Sequence, residues 1–151
     1  MVIYIAADHR GFKHKEEIKN YLVSLGYSVN DMGNEKYDES DDYPDFAERV
    51  AEKVALGGSL GILICGSGVG MDIVANKFPG VRSALVCDPE QAMDARTDDD
   101  VNILTIAADY TSVEASKKII SLSLTTVFSG EEKYKRRIKK IEELEIKIKN
   151  K

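Results

Sequence analysis

Apolar residues recur along the chain in short runs separated by helical repeats, and each run ends on polar or glycine-rich residues. Val2-Ile3-Tyr4-Ile5-Ala6 is the first, with Asp8-His9-Arg10-Gly11 directly after it, which reads as a buried strand with polar groups at its carboxyl end. From Phe12 to Leu25 the period lengthens. Ile18, Leu22 and Leu25 fall at i, i+4 and i+7, the other face is Lys and Glu, and Gly26 follows, so an amphipathic helix with a glycine stop is predicted. His14 lies on the polar face and is expected to be solvated. Tyr27 to Met32 predicts a second strand, closed by Gly33, and the acidic stretch from Asn34 to Tyr43 predicts a surface loop. Pro44 suits a helix's first turn, with Phe46, Val50 and Val54 on one face and Gly57-Gly58 at the end.

The third run, Gly61-Ile62-Leu63-Ile64-Cys65, passes straight into Gly66-Ser67-Gly68-Val69-Gly70-Met71-Asp72 and predicts strand, tight loop and helix start. A short helix over Met71 to Lys77 ends at Phe78-Pro79-Gly80, and Val81 to Cys87 forms a fourth strand. Asp88-Pro89 opens a helix that Asp98-Asp99-Asp100 breaks, Val101 to Ala107 is a fifth strand, and two helices follow, from Ser112 to Phe128 and from Lys133 onward. Five strands alternating with helices imply an α/β fold whose parallel sheet is covered on both faces. With 151 residues, one domain over 1–151 is expected.

Composition narrows the setting. The chain is 43% hydrophobic and 31% charged, a globular balance. Cys65 and Cys87 lie near successive strand ends without metal-type spacing, so a reduced cytoplasmic protein without metal or disulfide framework is expected. The first apolar run is too short for a signal sequence or membrane span. Net charge is −5, but residues 133–151 carry +6, leaving −11 for the rest. A strongly acidic body without an aromatic platform argues against nucleic acid. The basic tail reads as a solvated helix, a phosphate-binding helix or a subunit contact.

In parallel sheets ligands bind outside the carboxyl ends of the strands, where the strand order reverses. Asp8, His9, Cys65 with its glycine loop, Asp88 and the Asp98–Asp100 cluster are therefore gathered as candidates. Three chemistries fit. A nucleotide or adenosyl-methionine site needs a glycine loop and an acidic residue about twenty positions on, which Asp88 supplies. A thiol nucleophile needs a base, for which His9 is available. Proton transfer at carbon needs a thiolate beside amides that stabilise an enediolate, and a helix N-terminus can lower a cysteine's pKa.

Several ordered segments carry a resemblance: Ala7-Asp8-His9, Asp42-Tyr43-Pro44, the run Gly61 to Gly70, Ala75-Asn76-Lys77-Phe78 with Gly80-Val81-Arg82, and Asn102-Ile103-Leu104. Over essentially its whole length the chain resembles the ribose-5-phosphate isomerase B family, which includes the galactose-6-phosphate isomerase subunits. The resemblance implies a Rossmann-like three-layer domain with a five-stranded parallel sheet, and an isomerase of aldose and ketose phosphates, most simply ribose 5-phosphate and ribulose 5-phosphate, with no metal or organic cofactor. It also implies a homodimer or tetramer whose sites span an interface, with the C-terminal helix, 133–150, packing on a partner subunit. A six-carbon sugar phosphate is the alternative substrate.

Carried over by position, Cys65 resembles the base that moves the proton between C1 and C2. Ser67 and the amides of Gly66, Gly68 and Gly70 would hold the enediolate oxygens. Asp8 resembles a ligand for sugar hydroxyls and Tyr43 a wall of the ring site. His9 and Arg137 resemble phosphate contacts, with Arg137 from the other subunit. Three places depart from the family pattern. Asp98-Asp99 stands where a His-Asn pair is usual, which would make Asp98 the ring-opening base. Asp109 replaces an arginine, and Lys133-Tyr134 replaces an Arg-His pair. Carboxylates near a phosphate weaken its binding by like-charge repulsion, a deficit left to Arg137, Lys133 and the loop amides.

Overall fold

The apolar runs become strands β1 (Val2–Ala7), β2 (Ser28–Asp31), β3 (Ser59–Cys65), β4 (Ser83–Leu85) and β5 (Ile103–Ala107). The structure, a computed structural model, describes residues 1–150. All strands are parallel, in the order β2-β1-β3-β5-β4. Helices α1 (Phe12–Ser24), α2 (Tyr43–Ala55), α3 (Val69–Ala75), α4 (Pro89–Asp99), α5 (Val113–Thr125) and α6 (Glu132–Lys149) connect or follow them.

Alternation along each strand divides the core in two. Ile3, Ile5, Ile62, Ile64, Leu104 and Ile106 face α1, α4 and α5, while Ala6, Leu63, Cys65 and Ile103 face α2 and α3. Both faces of the central strands are therefore apolar, as the near-continuous runs require. The chain leaves β1 toward β2 on one side and returns to β3 on the other, so the strand order reverses between β1 and β3.

Several boundaries differ from the sequence expectation. β4 contracts from Val81–Cys87 to three residues because its flanks are held by side chains: Arg82 N–H donates to Asn102 Oδ1 (2.8 Å) and Cys87 N–H to Gln91 Oε1 (3.1 Å). α3 begins at Val69 rather than Met71, since Gly68 takes the left-handed conformation (φ 77°) and turns the chain early. α4 continues through Asp98 and Asp99 and ends at Asp100 (φ 46°), whose carbonyl and carboxylate accept from Arg82. Cations at a helix C-terminus offset its exposed carbonyls.

Two α1 residues expected in solvent are buried. His14, 8% exposed, bonds through Nε2 to Ser116 Oγ on α5 at 2.8 Å. The Ser116 hydroxyl already donates to Ser112 O, so His14 Nε2 is the donor, and burial holds its pKa below 6.5. Lys15 has no exposed surface; its Nζ donates to both Asp31 carboxylate oxygens and to Asn34 O, each at 2.7 Å. Burial raises the Asp31 pKa, but the hydrogen bonds from Lys15, Lys19 and Gly33 N–H outweigh it and leave a net fall below 3.8. A helical spacing does not show that a polar face meets a neighbouring carboxylate.

Because Lys15 has no exposed surface while Asp31 is partly exposed and keeps Lys19, losing the carboxylate should cost more than losing the ammonium. Asp31→Asn strands a buried ammonium and should lower unfolding free energy by about 3 kcal/mol, whereas Lys15→Met should change it by less than about 1 kcal/mol. Urea unfolding of both variants measures this. Because Asp31 titrates below its unfolded value, its contribution is present above pH 3.8 and lost as pH falls through the folded value.

Candidate active site

Parallel pairing sets Ala7 opposite Ile64, so the next residues, Asp8 and Cys65, emerge side by side at the reversal point. Both are nearly buried, 5% and 4% exposed. Asp8 Oδ1 accepts from Gly11 N–H (3.0 Å), which fixes the carboxylate within the β1–α1 turn. Burial pushes its pKa up, and the nearby Asp41 charge adds to this against the bonds from Gly11 and Arg10 and the field of His9.

Cys65 is held by the loop that follows it. Gly68 N–H donates to Sγ at 3.1 Å. That bond, a backbone contact from Met71 and the Arg10 charge favour the thiolate, but burial and the Asp8 carboxylate outweigh them and raise the pKa above 9.0. The helix N-terminus therefore does not lower this thiol on balance, contrary to the expectation from its position. In the first turn of α3, Val69 and Gly70 N–H have no intrahelical acceptor.

The acidic loop closes one side. His9 Nδ1 lies 2.7 Å from Asp41 Oδ1, which also accepts from His9 N–H at 3.1 Å, while Asp41 Oδ2 accepts from Asn34 Nδ2. Tyr37 meets His9 edge-on at 6.5 Å. The hydrogen bond to Asp41 raises the His9 pKa above 6.5 despite its partial burial. Tyr43, at the start of α2, lies on Gly70: a Cβ there would stand 2.6 Å from Tyr43 Cζ. The loop thus folds over the site.

The fold divides the sequence candidates. Asp8, His9, Tyr43, Cys65, Gly66, Ser67, Gly68 and Gly70 gather at the carboxyl edge of β1 and β3. Asp98 and Asp99 lie at the end of α4, where Asp99 O accepts from Arg82 Nε just before β4, so within one chain they stand at the amino edge. Lys133 and Arg137 share that end on α6: Ser129 N–H donates to Thr97 O, and Gly80 N–H to Glu145 Oε2. Asp88 caps α4, accepting from Glu90 and Gln91 N–H. It thus has a structural task in place of the ribose contact that a nucleotide site would need. Two neighbours escaped the sequence reading. Arg10 lies over Gly66 and pairs with Asp109, and Asp41 holds His9; only adjacency to Asp8-His9 and to Tyr43 hinted at them.

Residues 3–141 match the model of the ribose/galactose isomerase family. The chain belongs to that family. The probable ribose-5-phosphate isomerase B of Mycoplasma genitalium is 41% identical over 141 residues, 92% of each chain. Among solved structures, ribose-5-phosphate isomerase B from the same organism with bound ribulose-5-phosphate matches with a TM-score of 0.92 at 40% identity over 95% of each chain. The Clostridium thermocellum ribose-5-phosphate isomerase B matches with a TM-score of 0.94 at 39% identity, over 98% of this chain and 99% of that one. This member of the family also has no helix among its described residues long and apolar enough to cross a membrane. No acidic, histidine or cysteine cluster suited to a metal occurs among the described residues.

The two histidines should titrate in opposite directions. In NMR titrations His9 should have a midpoint above 6.5 and His14 below it, and Asp41→Asn should bring His9 down while leaving His14 unmoved. A raised folded value means that the His9–Asp41 contact stabilises the fold fully below pH 6.5 and fades as pH rises through the folded pKa.

Proposed function

We propose that the chain is an aldose–ketose isomerase that interconverts ribose 5-phosphate and ribulose 5-phosphate through an enediolate. The observation that carries the reading is the pairing of Asp8 and Cys65 at the strand-order reversal, on a chain that superposes over nearly its full length on a relative holding ribulose-5-phosphate.

In the open-chain aldose, the Cys65 thiolate takes the proton from C2. The C2–H electron pair forms the C1=C2 bond, and negative charge develops on O1. The Ser67 hydroxyl and the amides of Gly66 and Gly70 receive that charge, while the Gly68 amide, expected there from the sequence, bonds the Cys65 sulfur instead. A proton moves from O2 to O1, and the Cys65 thiol returns its proton to C1 as the C2 carbonyl forms. Burial and the Asp8 carboxylate raise the Cys65 pKa, so the thiolate, formed when the thiol gives its proton to solvent before the sugar reacts, is a stronger base than a free one. Asp8, its own pKa raised, contacts sugar hydroxyls, and Tyr43 walls the ring site. His9, kept cationic toward neutral pH by Asp41, faces the phosphate. No cofactor takes part in these steps.

The remaining candidates enter from a second copy. Asp98, Asp99, Lys133 and Arg137 lie at the wrong edge to meet Cys65 of their own chain. Helix α6 has no buried residue and exposes Ile141, Leu144, Ile146 and Ile148. A homodimer, or a tetramer of such dimers, with α6 on the partner brings Asp98 to the sugar ring as the opening base and Arg137 to the phosphate. Two free cysteines, one required reduced, support a cytoplasmic setting.

The deciding experiment follows proton exchange at C2 of ribose 5-phosphate in deuterated water. Cys65→Ser should leave the fold intact and lower exchange and turnover on the order of 100-fold or more. Cys87→Ser, at an exposed thiol that bonds only Gln91, should matter far less. Full activity of Cys65→Ser would assign the base elsewhere, and exchange of hexose phosphates alone would move the substrate to six carbons. Mixing Cys65→Ser with Arg137→Ala subunits should restore activity through hybrid dimers; absence of rescue would place a complete site in each chain.

A further inference from the structure

One charged pair at the carboxyl edge has no part in the steps above. Arg10 follows Asp8-His9 in the β1–α1 turn, and its Nη2 forms an ion pair with Asp109 Oδ2, just beyond β5. The pair is built into the glycine loop. A Cβ on Gly66 would stand 2.4 Å from both Arg10 Cζ and Nε, so the guanidinium packs where only a glycine leaves room. Asp109 N–H donates to Gly66 O at 3.0 Å, and Ala108 N–H donates to Cys65 O at 2.9 Å. Arg10 is therefore fixed from below by Gly66 and from the side by Asp109, and its charge is felt at Cys65. The side chain remains 55% exposed, and only Nη2 has a hydrogen-bond partner among the described residues.

The geometry points to Arg10 as a substrate-binding residue that grips the phosphate of the sugar phosphate, with Asp109 as the positioning residue that presents the guanidinium. This rests on the proposed isomerase reading. A planar guanidinium offers two-pronged hydrogen bonding that fits phosphate oxygens. With Nη2 held by a carboxylate and the guanidinium packed against Gly66, its other N–H groups have no hydrogen-bond partner among the described residues and remain free for an anion. Asp109 alone would repel a phosphate. Joined to Arg10, it leaves the pair neutral and the donors available, which reverses the deficit expected from Asp109 in the sequence.

Calorimetric titration with inorganic phosphate tests this without requiring turnover, and steady-state kinetics with ribose 5-phosphate tests the substrate. Arg10→Ala, and Arg10→Gln, which keeps the stem over Gly66, should each weaken phosphate binding and raise KM about ten-fold, the effect of one charge-assisted contact. kcat should change much less. Adding Asp109→Asn to Arg10→Ala should recover part of the loss, because a bare carboxylate beside the phosphate is removed. Folding of each variant is checked by urea unfolding. Phosphate affinity and KM unchanged in both Arg10 variants would overturn the assignment, as would absence of phosphate binding by the unsubstituted chain. Phosphate binding that depends on Arg10 without any C2 exchange would keep Arg10 as the anion ligand and defeat the isomerase reading instead.

Discussion

The site depends first on how closely the β1–α1 turn approaches β3. Parallel register places Ala7 opposite Ile64, and the turn then crosses so near β3 that a Cβ on Gly11 would stand 2.3 Å from Ile64 O. Only a residue without a side chain permits that approach. Because Gly11 N–H also bonds to Asp8, the same contact that packs turn on strand aims a carboxylate beside the thiol. Cys65 belongs to the apolar cluster beneath α2 and α3, so the thiol at the strand-order reversal is also a core side chain. Its burial, shared with the packing, is the largest influence raising its pKa.

Around this centre the fold neutralises an acidic body in pairs. Asp41 is matched by His9, Asp109 by Arg10 and Asp31 by Lys15 and Lys19. These contacts differ in what they do. Lys15 and Asp31 anchor α1 to β2 below the surface, where an unpaired ion is strongly unfavourable. His9 and Arg10 keep partly exposed faces, so their pairing sets orientation and leaves part of each cation accessible to solvent. A net charge of −5 therefore says little about the local field an anionic ligand meets.

The opposite edge of the sheet has a different character. Arg82 and Arg96 close the end of α4 around Asp100, and α6 runs past with its basic residues and apolar row in solvent. α6 carries no buried residue, which is unusual for an 18-residue helix with an apolar stripe, since most helical stability comes from packing that stripe. A second chain over α6 would bury the stripe and join the two edges.

By itself the sequence determined the element order, the parallel sheet with two covered faces, and the strand–glycine loop–helix unit that carries Cys65, because these follow from local periodicity and from where glycine is required. It also named the residues that gather at the carboxyl edge, since strand ends in such sheets share one side. Tertiary structure decided what depends on distant partners. His14 and Lys15 occupy helical positions that look solvated until α5 and β2 pack against them. Asp109 looks repulsive until Arg10, ninety-nine positions earlier, reaches it across the glycine loop. Asp98 reads as a neighbour of Cys65 but lies at the far edge of its own chain, because α4 runs back across the sheet. Pairing between side chains remote in sequence has no periodicity, and only packing brings them within a hydrogen bond.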